Sequence, residues 1–166
     1  MILAFAHPAI VVPDLEQARE FYERMFGFRV LTNEGWHDDP VVDRAIGSTR
    51  SRARSYVLAG HNTFLELFEY SAPPKQGPDP ASLGPQEMGL RHLAFFVDDL
   101  ETEYRRFIEL GGEALGSLPA DTDAPRAVYL RDPFGNIVEL AEIPHEREDP
   151  RRLPGVDSLG DYDGKA

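Results

Sequence analysis

Arg91-His92-Leu93-Ala94-Phe95-Phe96-Val97-Asp98-Asp99-Leu100 reads as a strand running into a helix cap, and the chain contains an earlier version of it. That version is His7-Pro8-Ala9-Ile10-Val11-Val12-Pro13-Asp14-Leu15. At one offset (92 − 7 = 85), His92 matches His7, Val97 matches Val12, Asp99 matches Asp14, Leu100 matches Leu15, Glu101 matches Glu16 and Gly112 matches Gly27. The segment ends match at a second offset (139 − 66 = 73), with Phe64-Leu65-Glu66-Leu67 against Ile137-Val138-Glu139-Leu140. The first copy is therefore longer by 85 − 73 = 12 residues. Two copies of one supersecondary unit are the natural reading, and two are too few for a solenoid, so they are expected to pair into one domain.

Local signals agree within each copy. Leu3 to Val12 is apolar and reads as a buried strand. Asp14 with Gln17 is a capping-box pattern, Leu15, Ala18, Tyr22 and Met25 share one helical face, and Gly27 is placed to stop the helix. In the second copy Asp99 is the cap, Leu100, Tyr104, Phe107 and Ile108 form the face, and Gly111-Gly112 end it. Phe28 to Thr32, Ser55 to Ala59 and Thr63 to Tyr70 read as strands, as do Glu113 to Gly116, Arg126 to Arg131 and Asn136 to Ile143. Asp132-Pro133-Phe134-Gly135-Asn136 is a hairpin-turn signal. The predicted class is α+β, with two βαβββ modules. One domain is expected over 1–143, divided into module one at 1–70, a Pro- and Gly-rich linker at 71–89 and module two at 90–143. Glu34 to Arg54 reads as a long loop, and 144–166 as a polar tail that wraps the surface or is partly disordered.

Composition bounds the function. A chain of 166 residues with 42% hydrophobic content can bury one core. A net charge of −12 argues against nucleic acid and anionic membrane surfaces as partners. No apolar run is long enough to span a bilayer, and the N-terminus, interrupted by His7 and Pro8, lacks the features of a signal peptide. The absence of cysteine excludes disulfides and thiolate chemistry and suits a cytoplasmic protein.

Four residues occupy equivalent places in the two copies: His7 and His92 in the first strands, Glu66 and Glu139 in the last. A lone strand histidine is more often a core residue than a ligand, and a lone strand glutamate more often faces solvent. A matched set in both repeats is hard to reach by chance. Each glutamate also interrupts an apolar strand, where a carboxylate is costly unless paired or metal-bound. If a pseudo-twofold relates the copies, the four converge as an N₂O₂ donor set. That set suits an octahedral divalent ion with two open positions, among Ni, Zn, Co, Mn and Fe.

On these stretches, with Phe21-Tyr22 and Phe26-Gly27-Phe28, the chain resembles the vicinal oxygen chelate superfamily over about residues 2–143. That superfamily includes glyoxalase I, methylmalonyl-CoA epimerase, extradiol dioxygenases, fosfomycin-resistance enzymes and bleomycin-binding proteins. The resemblance implies a glyoxalase-like, half-closed mixed sheet around a metal held by His7, Glu66, His92 and Glu139. It also implies a lyase or isomerase that removes a proton next to a carbonyl, the metal stabilising the enediolate. Glu139 is then the base and Glu66 its partner on the opposite face. Extradiol dioxygenases use two histidines and one carboxylate, so that alternative requires Glu66 to leave the metal. A non-catalytic small-molecule binding or resistance protein is the other alternative.

The substrate side is less defined. The resemblance to bacterial glyoxalase I lapses at Val11 and Tyr70, where those enzymes carry an Arg and an Asn for glutathione. A small-molecule carbonyl compound is therefore expected, with Phe5, Trp36, Tyr70, Phe96, Arg126 and Tyr129 as candidate substrate-binding residues. Arg44, Arg50, Arg52 and Arg54 read either as a patch for an anionic group or, preferably, as a solvated loop paired with acidic surface. His37 has no matched partner in the other copy and does not read as a ligand, while His61 and His145 read as surface residues. A homodimer is expected, because the open sheet edges would gain cover.

Overall fold

The computed structural model describes residues 4–74, 77–120 and 126–143. The expected tail at 144–166 and His145 lie outside the described residues. The chain divides into two compact units, Met1–Gly77 and Pro78–Ala166. Each is a four-stranded mixed sheet with one long helix packed against it, and the first adds a short second helix.

In the first unit the order is β1 (Ala9–Val11), α1 (Leu15–Phe26), β2 (Arg29–His37), α2 (Pro40–Ile46), β3 (Arg52–Gly60) and β4 (Thr63–Ala72). The sheet order is β1-β4-β3-β2, with β1 parallel to β4 and the other pairs antiparallel. In the second unit, after a 3₁₀ turn at Pro80–Ser82, β5 (His92–Val97), α3 (Leu100–Glu109), β6 (Glu113–Ala114), β7 (Ala127–Arg131) and β8 (Ile137–Glu142) follow. Their order is β5-β8-β7-β6, again with the first and last strands parallel. The two sheets are the same construction, as the sequence repeat predicts. A parallel pair needs a crossover connection, and in each unit the crossover contains the helix.

One sheet face carries the core. Side chains alternate along a strand, so Leu58, Leu65 and Leu67 lie beneath α1, where Leu15, Ala18, Tyr22 and Met25 are buried. Val128, Leu130, Val138 and Leu140 with Leu100 and Phe107 repeat this under α3. Ile108, expected on the apolar face of α3, is partly exposed. The helix starts are set as the sequence implies: Asp14 accepts from the Gln17 backbone N–H at 3.0 Å and Asp99 from that of Thr102 at 3.0 Å.

A second carboxylate in each unit locks helix to sheet. Glu69 Oε2 accepts from Leu15 N at 3.1 Å and from Arg54 at 2.7 Å. Glu142 Oε2 accepts from Leu100 N at 2.9 Å, and its Oε1 from Arg126 Nε at 2.9 Å. Both carboxylates sit three residues past Glu66 and Glu139, on the opposite sheet face. The donors they satisfy are helix-start N–H groups, which have no partner within the helix.

The expected loop at Glu34 to Arg54 is mostly regular structure. β2 continues to His37, α2 occupies Pro40–Ile46, and β3 begins at Arg52. Asn33, Glu34 and Gly35 break the apolar alternation, so the strand read at Phe28 to Thr32 shows no sign of continuing until its antiparallel partner supplies hydrogen bonds. The extra length of the first copy lies in this extended ribbon and in α2. Asp39 caps α2 by accepting from Val41 N at 2.7 Å, and Gly47 ends it at φ +67°. The linker is anchored on the second unit's side: Arg131 donates to the carbonyls of Pro80 at 3.2 Å, Leu83 at 2.8 Å and Gly135 at 2.8 Å.

Candidate functional site

The sheet face opposite each helix carries the candidate residues. In the first unit Ala9 is level with Glu66 across the parallel β1–β4 pair, and His7 precedes Ala9 by two residues. In the second, Ala94 is level with Glu139 across β5–β8, and His92 precedes Ala94 by two. Identical registers give identical pairs: His7 Nε2 lies 2.9 Å from Glu66 Oε2, and His92 Nε2 lies 3.2 Å from Glu139 Oε2. Their exposures match as well, 36% and 18% for the first pair against 37% and 20% for the second. β1 starts later than the predicted strand, although Glu66 N still donates to Pro8 O at 3.0 Å and keeps the neighbourhood of His7 in register.

The donor chemistry fits a divalent metal. Two ligands on one ion, with bonds of about 2.1 Å at a right angle, stand about 3.0 Å apart, and both pairs are close to that spacing. Each pair supplies one imidazole nitrogen and one carboxylate oxygen, which suits borderline divalent ions. Among the described residues no three His, Cys, Asp or Glu side chains are gathered as a complete ligand set.

The surroundings of the two pairs differ. Tyr129 is level with Glu139 on β7, and its ring meets His92 edge-on at 5.2 Å. Burial first, then a hydrogen bond to Glu139 and the charge of that carboxylate, push the Tyr129 hydroxyl pKa up. In the first unit Val57 occupies the position level with Glu66. There the aromatic groups stand farther along β4. Trp36 lies 5.8 Å from Phe68 and 5.7 Å from Tyr70, nearly perpendicular to both, and Phe68 and Tyr70 are 5.8 Å apart. Burial, then the Glu66 carboxylate, raises the Tyr70 hydroxyl pKa. Trp36 Nε1 donates to Ser51 Oγ at 2.7 Å, and buried Asp43 of α2 accepts from the Ser51 hydroxyl, from Ser51 N at 3.0 Å and from Arg50 N at 2.6 Å. Phe68, Ser51 and Asp43 were not among the sequence candidates. The signal for Phe68 was its place two residues after Glu66, on the same strand face.

The remaining candidates divide. Phe5 precedes His7 by two residues, Phe96 follows His92 by four on the same face of β5, and both are largely exposed, 83% and 61%. Arg126 is held by Glu142 on the helix side of its sheet, away from the face of Glu139, so the structure gives it a clamping place rather than a substrate-facing one. Of the loop arginines, Arg52 pairs with Asp38 at 3.0 Å and Arg54 with Glu69 at 2.7 Å, as the acid-paired reading expects. His61 is exposed, and its Nε2 is bonded to Phe26 O at 2.7 Å. A hollow of about 570 Å³ beside α3, lined by Tyr104, Ile108 and Ala114, contains none of the candidates. No helix among the described residues is long and apolar enough to cross a membrane.

The chain is 32% identical over 151 residues to 2-epi-5-epi-valiolone epimerase of an Actinomyces species, covering 86% of this chain and 80% of the relative. A glyoxalase family protein from Bacillus cereus superposes with a TM-score of 0.76 at 21% identity, over 86% of this chain and 95% of that one. The fosfomycin resistance protein FosX of Listeria monocytogenes, in complex with Mn(II) and sulfate, superposes at 0.52 with 20% identity, over 86% and 94%. At those identities the two structures bear on the fold alone. Residues 4–140 match the profile of the Glyoxalase/Bleomycin resistance protein/Dioxygenase superfamily, and the chain belongs to that superfamily.

Proposed function

We propose that this protein is a divalent-metal-dependent isomerase of the epimerase type, which removes and returns a proton on the carbon next to a carbonyl group. The observation that carries this reading is the duplicated His–Glu pair, with one spacing and one register in both units. His7, Glu66, His92 and Glu139 would hold the ion, with the two pairs meeting on it either within one chain or between the two chains of a homodimer. The ion, when bound, supplies a positive charge to the substrate's carbonyl oxygen as negative charge develops there.

The chain's own groups do the rest. Epimerisation needs a proton taken from one face of a carbon and delivered to the other. Two carboxylates, one from each module, supply the acceptor and the donor, with Glu139 as base and Glu66 as its partner. Tyr129, level with Glu139 on β7 and edge-on to His92, lies beside this pair and would limit the movement of its carboxylate. The 32% identity to an epimerase supports this reading over ring cleavage. So does the closeness of Glu66 to His7, since the dioxygenase pattern leaves that carboxylate out.

The test combines metal content with proton exchange. Protein purified without chelator is expected to carry near-stoichiometric Ni, Zn, Co or Mn by elemental analysis, and His92→Ala and Glu66→Ala to lose it. The metal-loaded protein in D₂O is expected to place deuterium next to the carbonyl of its substrate, and Glu139→Gln to slow this by at least about a hundredfold. Iron retained in Glu66→Ala would point to oxygenase chemistry instead.

A further inference from the structure

Three cross-strand rows lead from β2 across β3 to β4 on the Glu66 face of the first unit. They start at Thr32, Glu34 and Trp36 and end at Glu66, Phe68 and Tyr70. The row nearest the pair holds the carboxylate, and the other two hold the aromatic groups. Phe68 follows Glu66 by two residues, about 7 Å along the strand, so a ring seated on Phe68 brings an adjoining carbon within reach of that carboxylate.

The corner has a defined shape. The Trp36 ring stands at 74° to Phe68 and 81° to Tyr70. Such a corner offers one plane to a ring's face and another to its rim, whereas an extended chain would leave one plane bare. Trp36 is fixed through Ser51 and Asp43, so the corner is formed before a ligand arrives. Ordering it costs little at binding.

The electrostatics are equally selective. No Lys or Arg lies in the three rows; Arg54 alternates to the opposite face and pairs with Glu69. Glu34 is exposed at the edge, level with Phe68, and has no ion pair among the described residues. A carboxylate there accepts hydrogen bonds from hydroxyl groups and repels anions.

We infer that the Trp36–Phe68–Tyr70 corner with Glu34 is the specificity subsite, and that it takes a neutral, hydroxylated ring bearing the carbonyl rather than an acyclic or anionic carbonyl compound. The substrate class rests on the isomerase reading above; the binding preference does not.

Trp36 is the sole tryptophan in the sequence, so its emission reports the corner directly. The experiment titrates the metal-loaded protein with scyllo-inosose (a neutral polyhydroxylated cyclohexanone), dihydroxyacetone and pyruvate. Saturable change is expected with scyllo-inosose at a concentration at least about tenfold below either acyclic probe. Glu34→Gln, at an exposed site, and Tyr70→Leu are each expected to weaken it about tenfold, as for a lost hydrogen bond to a charged group or a lost aromatic contact. Equal response to dihydroxyacetone or pyruvate, or no effect of either variant, overturns the inference. Deuterium exchange on the same probes separates the two readings. Saturation of Trp36 without exchange supports the subsite and removes the isomerase; exchange on dihydroxyacetone with Trp36 unmoved overturns the subsite and leaves the isomerase.

Discussion

The two helix clamps offer a test in which one chemical change is made at two equivalent places. Glu69→Gln and Glu142→Gln each keep an oxygen that can accept from the helix start, and each sets a neutral amide against an arginine. The surroundings differ. Arg126 and Glu142 are 16% and 18% exposed, whereas Arg54 and Glu69 are 58% and 29% exposed. Exposed ion pairs contribute about 0–1 kcal/mol. Breaking a buried one costs about 3–5 kcal/mol, because the remaining charge has lost both water and partner. The second-unit pair lies between these limits, so Glu142→Gln is expected to cost about 2–3 kcal/mol and Glu69→Gln about 1 kcal/mol. Urea unfolding followed by far-ultraviolet circular dichroism measures both. Raising NaCl to about 1 M should shrink the Glu69→Gln effect and leave most of the Glu142→Gln effect, since buried charges are poorly screened. A Glu69→Gln cost equal to or above that of Glu142→Gln would refute the argument that burial sets the magnitude.

Three further outcomes are expected. Gly135→Ala should destabilise by at least about 1–2 kcal/mol in thermal unfolding, because residue 135 sits at φ +87° and an added Cβ would meet the Ala81 backbone nitrogen at 2.5 Å; an unchanged melting temperature would contradict that close approach. The Arg54 guanidinium, then the Leu15 N–H, hold the Glu69 carboxyl below its ordinary value of 4.5 against the opposing effect of burial. A depressed native pKa gives stability that is complete above the unfolded value and lost as pH falls through the native one, so the urea midpoint should fall below about pH 4.5, less steeply in Glu69→Gln; equal slopes would exclude Glu69 as a contributor. Removing metal with a chelator should lower the wild-type melting temperature, by the equivalent of about 2.7 kcal/mol when free metal had stood at about a hundred times its Kd. His92→Ala should show no such drop.

Much of the construction was legible because it is local and repeated. Asp14 and Asp99 cap helices through bonds that span three residues. Gly27 ends its helix at φ +69°, a conformation that disfavours other residues. Apolar alternation marks strands that bury one face, which is why β4 and β8 could be read through their length and β2 only as far as Thr32. His7, Glu66, His92 and Glu139 could be singled out from their equivalent positions in two copies, with no distance known.

By itself, then, the sequence determined two repeated modules, where α1 and α3 start and stop, and which two His and two Glu occupy equivalent places in the copies, since each depends on neighbours in the chain or on comparison of one copy with the other. Only the tertiary structure decided that Trp36, from a stretch read as loop, stands against Phe68 and Tyr70 on the Glu66 face, and that Arg126 serves Glu142 on the other side of its sheet. Those partners lie 32, 34 and 16 residues apart. Strand pairing brings them together, and the alternation along one strand marks its faces without naming the residues of another strand that will lie beside it.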